Sequence, residues 1–594
     1  GVNAQTGTIA IGEYALTALT SGAGNLAIGS SALAQHTTGA FNLAIGTSAL
    51  SQTGGSSAST STGNLAIGKD ALGGDWADTG SDHNVAIGYS TLSAALSGAQ
   101  RNQAMGYKAL QANVNGDDNL AFGFESMLEH TSGSRNIAIG SNSMNDTGAN
   151  DCPTSTDNIF IGHDSGGGTW VTNDSNFNVS LGNYTMDAAM NGAVNNVAIG
   201  YNSLSALTTG TVSTAIGSGS MEAITIGRYN TAVGFETLHN DVGGEESTAL
   251  GYAALHFQDM GDSRVSSNNT GVGVTAGYYN ETGTGNTYLG YSAGKGASGQ
   301  SNNNNTAVGA NAGEAITTAE RSTLVGRYAG GQIETSSNNT LVGYKAGYDI
   351  TTASNKAVAV GESALENITT ATRVTAVGYQ AGMVMSTGDS GVGSMVAVGT
   401  LALKSTTGKR NTAVGAASGD NITTGIENTL LGADTNVDAS GRNGCVIIGY
   451  GVTLNTASDN VVEIGNDTNS MTYDLDGGDI TVTSDVRTKE NVKDSRLGLA
   501  FINALRPVTY TTKAPSEYPK EFGIKEPSSK KTGKVWDGLI AQEVKATMDD
   551  LGVDFSGWSE GINTKQKIAY GKLVMPLIKA VQELTAKVEA LEKK

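Results

Sequence analysis

The dominant pattern in the chain is a five-residue motif in which apolar residues alternate with a small residue before a glycine. Residues 25–29 and 64–68 both read NLAIG, and residues 411–415 still read NTAVG. Counted by the closing glycine, 26 copies lie between Gly12 and Gly465, spaced 16 to 22 residues apart. One copy is too short to bury its own apolar face, so the repeat predicts a stacked parallel β-solenoid or β-roll.

Each copy predicts one short strand followed by a turn. The residue before the glycine is apolar in all 26 copies, and the residue two positions earlier is apolar or Thr in nearly every copy. Because period-two alternation is typical of strands, we expect both large side chains to face one core. A second group of apolar residues follows the glycine, as in residues 31–33 (SAL), and predicts a second short strand beyond the turn.

Asparagine and glycine occupy fixed positions in the motif. Asn stands four residues before the closing glycine in 17 of the 26 copies. Its amide can bond to its counterpart in the next coil, so we expect a ladder of stacked Asn side chains. Glycine adopts the positive φ that chain reversals in so short a space require.

A longer period overlies the short one. The spacings 17, 17, 22, 20 and 18 run from Gly12 to Gly106 and again from Gly106 to Gly200, which places Trp76 and Trp170 at equivalent positions. The long spacings predict surface loops. A Trp on such a loop could serve as a ligand platform, but we favour the interpretation that it covers a neighbouring loop.

The pattern changes along the shaft. From about Thr214 the first large strand position is mostly Thr, and after Gly273 the Leu that follows the turn often becomes Gly, as in residues 292–294 (SAG). These smaller residues predict a slimmer shaft in the C-terminal half.

Composition and charge change near residue 484. Residues 484–594 carry 19 Lys and Arg against 15 Asp and Glu, whereas residues 1–483 carry 16 against 40. An acidic shaft argues against binding to nucleic acid, because phosphate contacts need Lys and Arg. No run of 18 apolar residues occurs, so no membrane span is predicted.

No cofactor or metal site is predicted. Cys152 and Cys445 have no metal-ligand or CxxC spacing, so we expect two buried free thiols. Residues 474–479 read DLDGGD and could hold calcium, but they lack the full spacing and the distal Glu of an EF-hand loop. A hairpin turn between residues 471–473 and 480–482 is the preferred interpretation.

Three blocks in the C-terminal part form a specific set. Residues 484–489 read SDVRTK, residues 538–544 read GLIAQEV, and residues 570–584 contain YGKL and PLIKAVQEL. In this order and at these separations they resemble the intramolecular chaperone domain at the C-terminus of phage tail fibres and tailspikes, the self-cleaving peptidase S74 family. The resemblance covers about residues 484–594. It implies a domain that trimerises, helps the fibre to fold, and then cuts itself off immediately before the serine.

The resemblance also implies the chemistry of the cut, with Ser484 as nucleophile, Lys489 as base and cleavage between Thr483 and Ser484. Residues 484–594 contain no histidine, so a Ser-His-Asp triad cannot form within this domain. A lysine can act as base once burial favours its neutral form. We expect neighbouring chains to close over Lys489, so that trimerisation triggers a single cut per chain. A linker without chemistry is the alternative interpretation.

The final helix carries a heptad seam that predicts a trimeric coiled coil from about residue 576. Its apolar residues are separated by 4, 3, 4, 3, 4 and 3 positions, and Pro576 is expected in the first helical turn. The alternative is one amphipathic helix lying on its own domain. The seam residues are Tyr570, Val574, Leu577, Val581, Leu584, Val588 and Leu591.

The sequence therefore predicts a mainly β homotrimer in three parts. A β-solenoid shaft spans residues 1–465, a connector spans 466–483, and a small α+β self-cleaving chaperone spans 484–594. The predicted function is that of a viral tail fibre, located in the virion and outside the cell. It would attach to a host receptor, either a glycan or an outer-membrane component, and contact other tail proteins.

Two alternatives come from other classes. The repeat resembles the heads of trimeric autotransporter adhesins, so a bacterial surface adhesin is one of them. The other is a tailspike enzyme that degrades polysaccharide, which would need paired carboxylates. The acidic residues are too scattered along the sequence to identify such a pair.

Overall fold

The chain divides into two units, residues 1–483 and residues 484–594. The structure is a computed structural model, and it describes residues 5–52, 60–76, 80–147, 154–351, 356–368, 372–385, 394–454, 457–476, 480–482, 489–520, 533–561 and 564–593.

The first unit is a parallel β-solenoid, as predicted. Each copy of the motif forms one short strand, and successive strands pair in parallel, for example Leu26 beside Leu43 and Ile28 beside Ile45. Its coil strands, in chain order, are Ile9–Ile11, Leu26–Ile28, Leu43–Ile45, Leu65–Ile67, Val85–Ile87, Gln103–Met105, Leu120–Phe122, Ile137–Ile139, Ile159–Ile161, Val179–Leu181, Val197–Ile199, Thr214–Ile216, Thr231–Val233, Thr248–Leu250, Thr270–Val272, Thr287–Leu289, Thr306–Val308, Thr323–Val325, Thr340–Val342, Val358–Val360, Val374–Val377, Met395–Val398, Thr412–Val414, Thr429–Leu431, Val446–Tyr450 and Val461–Asn466.

A hairpin continues the sheet after the last coil. Strand Ser470–Asp474 runs antiparallel to the last coil strand and pairs with Ile480–Val482, with Met471 opposite Val482. The hairpin interpretation of residues 471–482 is therefore confirmed, while residues 477–479 lie outside the described residues. Two short parallel pairs lie elsewhere in the unit, Gly244–Glu245 with Val265–Ser266 and Val384–Met385 with Ser405–Thr406.

The prediction that the large strand residues face the core is wrong. Ala27 is fully buried in the coil, whereas Leu26 and Ile28 on either side of it are only partly buried. The same pattern recurs in most coils. The reason is steric, because the buried Leu33 of the following turn occupies the coil interior and leaves room for only a small strand residue.

The segment after the glycine forms turns, so the predicted second strand is also wrong. Ser31 and Leu33 have φ values of 59° and 51°, in the left-handed region that strands do not use. Ala32 and Leu33 are both fully buried. The apolar residues after the glycine therefore mark a core-filling turn.

After Gly273 a strand residue can refill the space that a turn glycine leaves, so the predicted slimming stays a prediction. Tyr288 takes the middle strand position that Ala holds in most coils, and it is fully buried. A Cβ added at Gly294 would lie 2.1 Å from a ring carbon of Tyr288. In this coil the large residue has moved from the turn to the strand, so a turn glycine does not by itself predict a slimmer core.

The closing glycines are required by both conformation and space. Gly123 has a φ of +151°, and a Cβ added there would lie 2.1 Å from the carbonyl oxygen of Gly140 in the next coil. Real Cβ contacts are never this short, so only glycine allows the coils to stack.

The predicted Asn ladder is confirmed. The Asn42 backbone N–H and its side-chain Nδ2 both donate to Asn25 Oδ1, at 3.0 and 3.2 Å. Asn64 repeats both bonds to Asn42 Oδ1, at 3.0 and 3.3 Å. These bonds give hydrogen-bond partners to buried amides in successive coils. A buried amide without a partner would destabilise the fold.

The two Trp residues are core residues, so neither is a ligand platform. Trp76 is 2% exposed and Trp170 is fully buried. Trp170 Nε1 donates to the Gly166 carbonyl at 3.1 Å. Cys445 is a buried free thiol, as expected, whereas Cys152 lies outside the described residues.

A buried histidine makes the shaft sensitive to acid. His130 is fully buried, with Nδ1 2.9 Å from Thr147 Oγ1 and Nε2 3.1 Å from the Gly133 carbonyl oxygen. Burial lowers the pKa of His130 from 6.5 to about 4, although the Gly133 carbonyl opposes this shift. Above pH 6.5 the ring is neutral in both folded and unfolded chains. Below it the unfolded chain binds the proton first, so stability falls towards pH 4.

We expect His130→Asn to remove the contribution of His130 to this acid sensitivity, about 3 kcal/mol per chain by pH 4. The buried His36, whose pKa is also lowered by burial, keeps its own contribution. Asn113, one coil earlier, bonds the Gly116 carbonyl in the same way, so Asn suits the position. The test is the urea unfolding midpoint between pH 7.5 and 4.5. His83→Asn, at an exposed site, is the control and should behave as wild type. An unchanged pH dependence in His130→Asn would contradict the assignment.

The second unit is a small α+β domain. Its helices are α1 (Leu499–Ala504), α2 (Ala541–Leu551) and α3 (Val574–Glu592), with 3-10 turns at Pro515–Glu517 and Tyr570–Leu573. Strand Val508–Thr511 pairs antiparallel with Val535–Gly538, and Trp558–Glu560 pairs antiparallel with Gln566–Ile568. Among its described residues, the buried core consists of Phe501, Val544, Met548 and Phe555.

Candidate functional site

Only one of the three residues predicted for the cut lies in the described part of the chain. Lys489 is exposed there and belongs to neither a helix nor a strand. Thr483 and Ser484 lie outside the described residues. The roles of nucleophile and base therefore remain predictions.

The division between the two units falls at the predicted scissile bond. The first unit ends at Thr483 and the second begins at Ser484. A cut at this bond would separate the solenoid from the C-terminal domain without interrupting a unit of either fold.

Two of the three sequence blocks of the C-terminal domain, residues 538–544 and 570–584, meet in space. The Tyr570 hydroxyl, from the block that reads YGKL, accepts a hydrogen bond from the Leu539 backbone N–H at 2.8 Å. Glu543, from the same block as Leu539, forms an ion pair with Arg506. Residues 30 or more positions apart are thereby joined in one packed structure, which explains why these two blocks occur together.

Helix α3 is fixed to the domain by one face only. Its Glu583 carboxylate accepts a 2.8 Å hydrogen bond from the Leu499 N–H at the start of α1, where a negative charge is favourable. Pro576 and Ala580 are the buried residues of α3, and Pro576 lies in its first turn, as predicted.

The predicted heptad seam lies on an exposed side of α3, next to the buried face. Its residues from Val574 to Leu591 are 45 to 70% exposed, so packing of the seam on its own domain, the alternative interpretation, does not describe them. Beside the first of them lies an apolar cavity of about 360 Å³, lined by residues that include Leu505, Tyr570 and Leu577. The domain thus exposes a large apolar surface, although its own buried core is small.

A second apolar surface runs along the shaft. It consists of the large strand residues that flank the buried middle position and point away from the coil interior. Among them, Met105, Phe122 and Leu181 are 41, 49 and 45% exposed. Because the coils stack in register, these side chains line up into a continuous outer face of the sheet. We call it the outer strand face.

The described residues offer no evident metal site, since no group of three or more His, Cys, Asp or Glu side chains among them could hold an ion. No described helix is both long enough and apolar enough to span a bilayer.

Comparison with known families places the C-terminal unit. Residues 484–553 match the family model Peptidase_S74, described as the chaperone of endosialidase. No curated protein matches the chain. The matched segment begins at the first residue of the second unit and includes α1, α2 and the strands between them. The protein therefore joins a long β-solenoid to a chaperone-of-endosialidase domain, an architecture that fits a phage tail fibre or tailspike.

Proposed function

We propose that this protein is a homotrimeric tail fibre that attaches a virion to its host cell. Its C-terminal domain would drive trimerisation and folding and then be released by a cut between Thr483 and Ser484. The observation that supports this most strongly is a coincidence of boundaries. The family match and the second unit both begin at Ser484, directly after the solenoid.

Two exposed apolar surfaces support trimerisation. The outer strand face and the seam of α3 both leave large apolar side chains partly in water. Burying half of one such side chain is worth on the order of 1 kcal/mol, and the outer strand face repeats it over many coils. The C-terminal domain has only four core residues in its buried cluster, so it gains most from a partner.

The proposed cut uses one water molecule and no cofactor. Ser484 Oγ attacks the Thr483 carbonyl carbon while Lys489 takes the hydroxyl proton and delivers it to the departing Ser484 nitrogen. The Thr483–Ser484 amide becomes an ester, which water then hydrolyses to a Thr483 carboxylate and a free Ser484. Lys489 is exposed in the single chain, so packing of neighbouring chains would supply the burial that favours its neutral amine.

The chaperone role predicts that residues 1–483 expressed alone will be mostly insoluble. Without residues 484–594 the outer strand faces would meet at random and aggregate. The measurement is the soluble fraction and the sedimentation velocity of the product. Full-length Ser484→Ala is the control, because it keeps the chaperone but not the proposed nucleophile, and it should be soluble. Normal soluble assembly of residues 1–483 alone would contradict the proposal.

Attachment is tested by adsorption. Fluorescently labelled wild-type protein should bind at least one strain in a broad panel of bacterial cells, and excess unlabelled protein should displace it. Failure to bind any strain would count against the attachment role.

A further inference from the structure

A polar and aromatic cleft lies on the surface of the shaft between two neighbouring coils. Its volume is about 410 Å³, and its lining includes Tyr184, Asp187, Tyr201, Asn202 and Ser205. This volume is within the range of small-molecule sites, about 300 to 1,000 Å³. The cleft belongs to a part of the solenoid whose core residues are fully buried.

Of the two tyrosines, Tyr201 leaves ring surface open, whereas Tyr184 lies between Tyr201 and His163, whose ring centroid is 5.4 Å away. The centroids of the two tyrosine rings are 5.7 Å apart and their planes are nearly perpendicular, at 82°. By contrast, Tyr89 and Tyr107 elsewhere on the shaft are stacked at 10° and cover each other's faces. Tyr201 is 54% exposed. An open aromatic face attracts C–H groups because its π cloud is negative, and one face of a sugar ring presents such groups.

The polar groups beside these rings suit hydroxyl ligands. Burial and the neighbouring Asp164 raise the pKa of Asp187 to about 6, although the Gly167 amide and His163 oppose the shift. Once ionised, this carboxylate accepts charge-assisted hydrogen bonds, which are stronger than neutral ones. Asn202 supplies both a donor and an acceptor at the cleft, and Ser205 supplies a hydroxyl.

The fold does not require the chemistry of this cleft. In the first 94-residue block, Ser90 and Ser93 hold the positions that Tyr184 and Asp187 hold in the second. The backbone is alike, since φ is 50° at Ser90 and 57° at Tyr184. The same coil therefore forms with two small residues, so neither the aromatic ring nor the carboxylate is required for it to form.

We propose that this cleft is a saccharide-binding site, with Tyr201 packing against a sugar ring, Tyr184 forming the wall beside it, and Asp187 and Asn202 bonding the sugar hydroxyls. The inference rests on the attachment role proposed above. Residues 1–483 carry 16 Lys and Arg against 40 Asp and Glu, so the shaft repels polyanions and the ligand is a neutral glycan.

The test uses the full-length chain with Tyr184→Ser and Asp187→Ser combined, which recreates the residues of the first block. The matched control is Tyr89→Asn, since Asn183 holds the equivalent place in the second block. The probe is an array of neutral bacterial surface oligosaccharides, followed by calorimetric titration of the best ligand. We expect wild type and Tyr89→Asn to bind alike and the double variant to bind at least tenfold more weakly, with the same thermal midpoint.

Absence of wild-type binding to the array, or equal binding by the double variant, would overturn the site. Adsorption to the bacterial panel separates this failure from that of the attachment role. If wild type and double variant adsorb to cells equally, the cleft is not the receptor site but attachment stands. If wild type adsorbs to no strain, the attachment role itself fails.

Discussion

Ser484→Ala should yield only the uncut chain of 60.4 kDa, whereas wild type should yield one fragment that ends at Thr483 and another that begins at Ser484. Alanine lacks the hydroxyl that would attack the Thr483 carbonyl. Loss of the nucleophile in a serine peptidase slows the reaction by several orders of magnitude. Intact mass spectrometry of the two purified proteins measures the difference directly.

A control serine and a pair of lysine variants show whether the effect is specific to Ser484 and Lys489. Ser495→Ala changes an exposed serine of the same domain and should be cut like wild type. Lys489→Met should be uncut and Lys493→Met should be cut, because only Lys489 holds the position of the proposed base. Cutting of Ser484→Ala at the wild-type rate, or a wild-type protein that stays intact, would refute the assignment of Ser484.

Lysines on the outer strand face should prevent assembly. We expect the combination of Met105→Lys, Phe122→Lys and Ile139→Lys, in three successive coils, to abolish the trimer. These side chains are partly exposed in the single chain, so the coil itself should tolerate lysine. In a trimer, nine ammonium groups would be buried without partners, at several kcal/mol each. Sedimentation equilibrium of the uncut protein would show the change.

The matched control places lysines on loops of the shaft. Asn115 is exposed and lies on the same coil as Phe122, but it is outside the strand. Asn115→Lys, alone or with a lysine at exposed Glu13, should leave the trimer intact. If the outer-face variant assembled as well as this control, the outer strand face would not be the contact between chains.

The repeat predicted the strands of the shaft, but it did not predict which side of a strand is the core. The period fixed the strand positions and the Asn ladder, because both depend on spacing alone. Leu26 and Ile28 are larger and more apolar than Ala27, so the pattern favoured them as core. The buried Leu33 overrides this preference, because it fills the coil. An apolar position in the sequence repeat predicts burial, but it does not say whether the side chain is buried inside its own coil or, as proposed here, against another chain.

The turns were missed for a different reason. Leu33 lies in the left-handed region, which a residue with a Cβ rarely adopts. In a sequence, Gly and Asn are the residues that predict left-handed backbone. Leu within a short apolar group predicts a strand instead. In the structure, stacked coils on both sides bond the turn backbone, for example Leu33 N–H to the Ala49 carbonyl at 3.0 Å, and hold it in this conformation.

The two candidate sites differ in how far the sequence could reveal them. Ser484 and Lys489 came from a motif, and no spacing argument could establish the shielding of Lys489, since it would come from other chains. The cleft was missed because Tyr184 and Tyr201 are 17 residues apart and meet only when the coil length is known. Comparison of the two 94-residue blocks would have revealed it, since Tyr184 and Asp187 replace serines.

The central claim is that three chains assemble through the exposed apolar surfaces of the shaft and of α3. Its most direct test is the solution mass of full-length Ser484→Ala, measured by light scattering on a sizing column. A trimer of uncut chains has a mass of about 181 kDa, three times 60.4 kDa. A single species at that mass is the predicted result, and a stable, soluble monomer at 60.4 kDa would contradict the account.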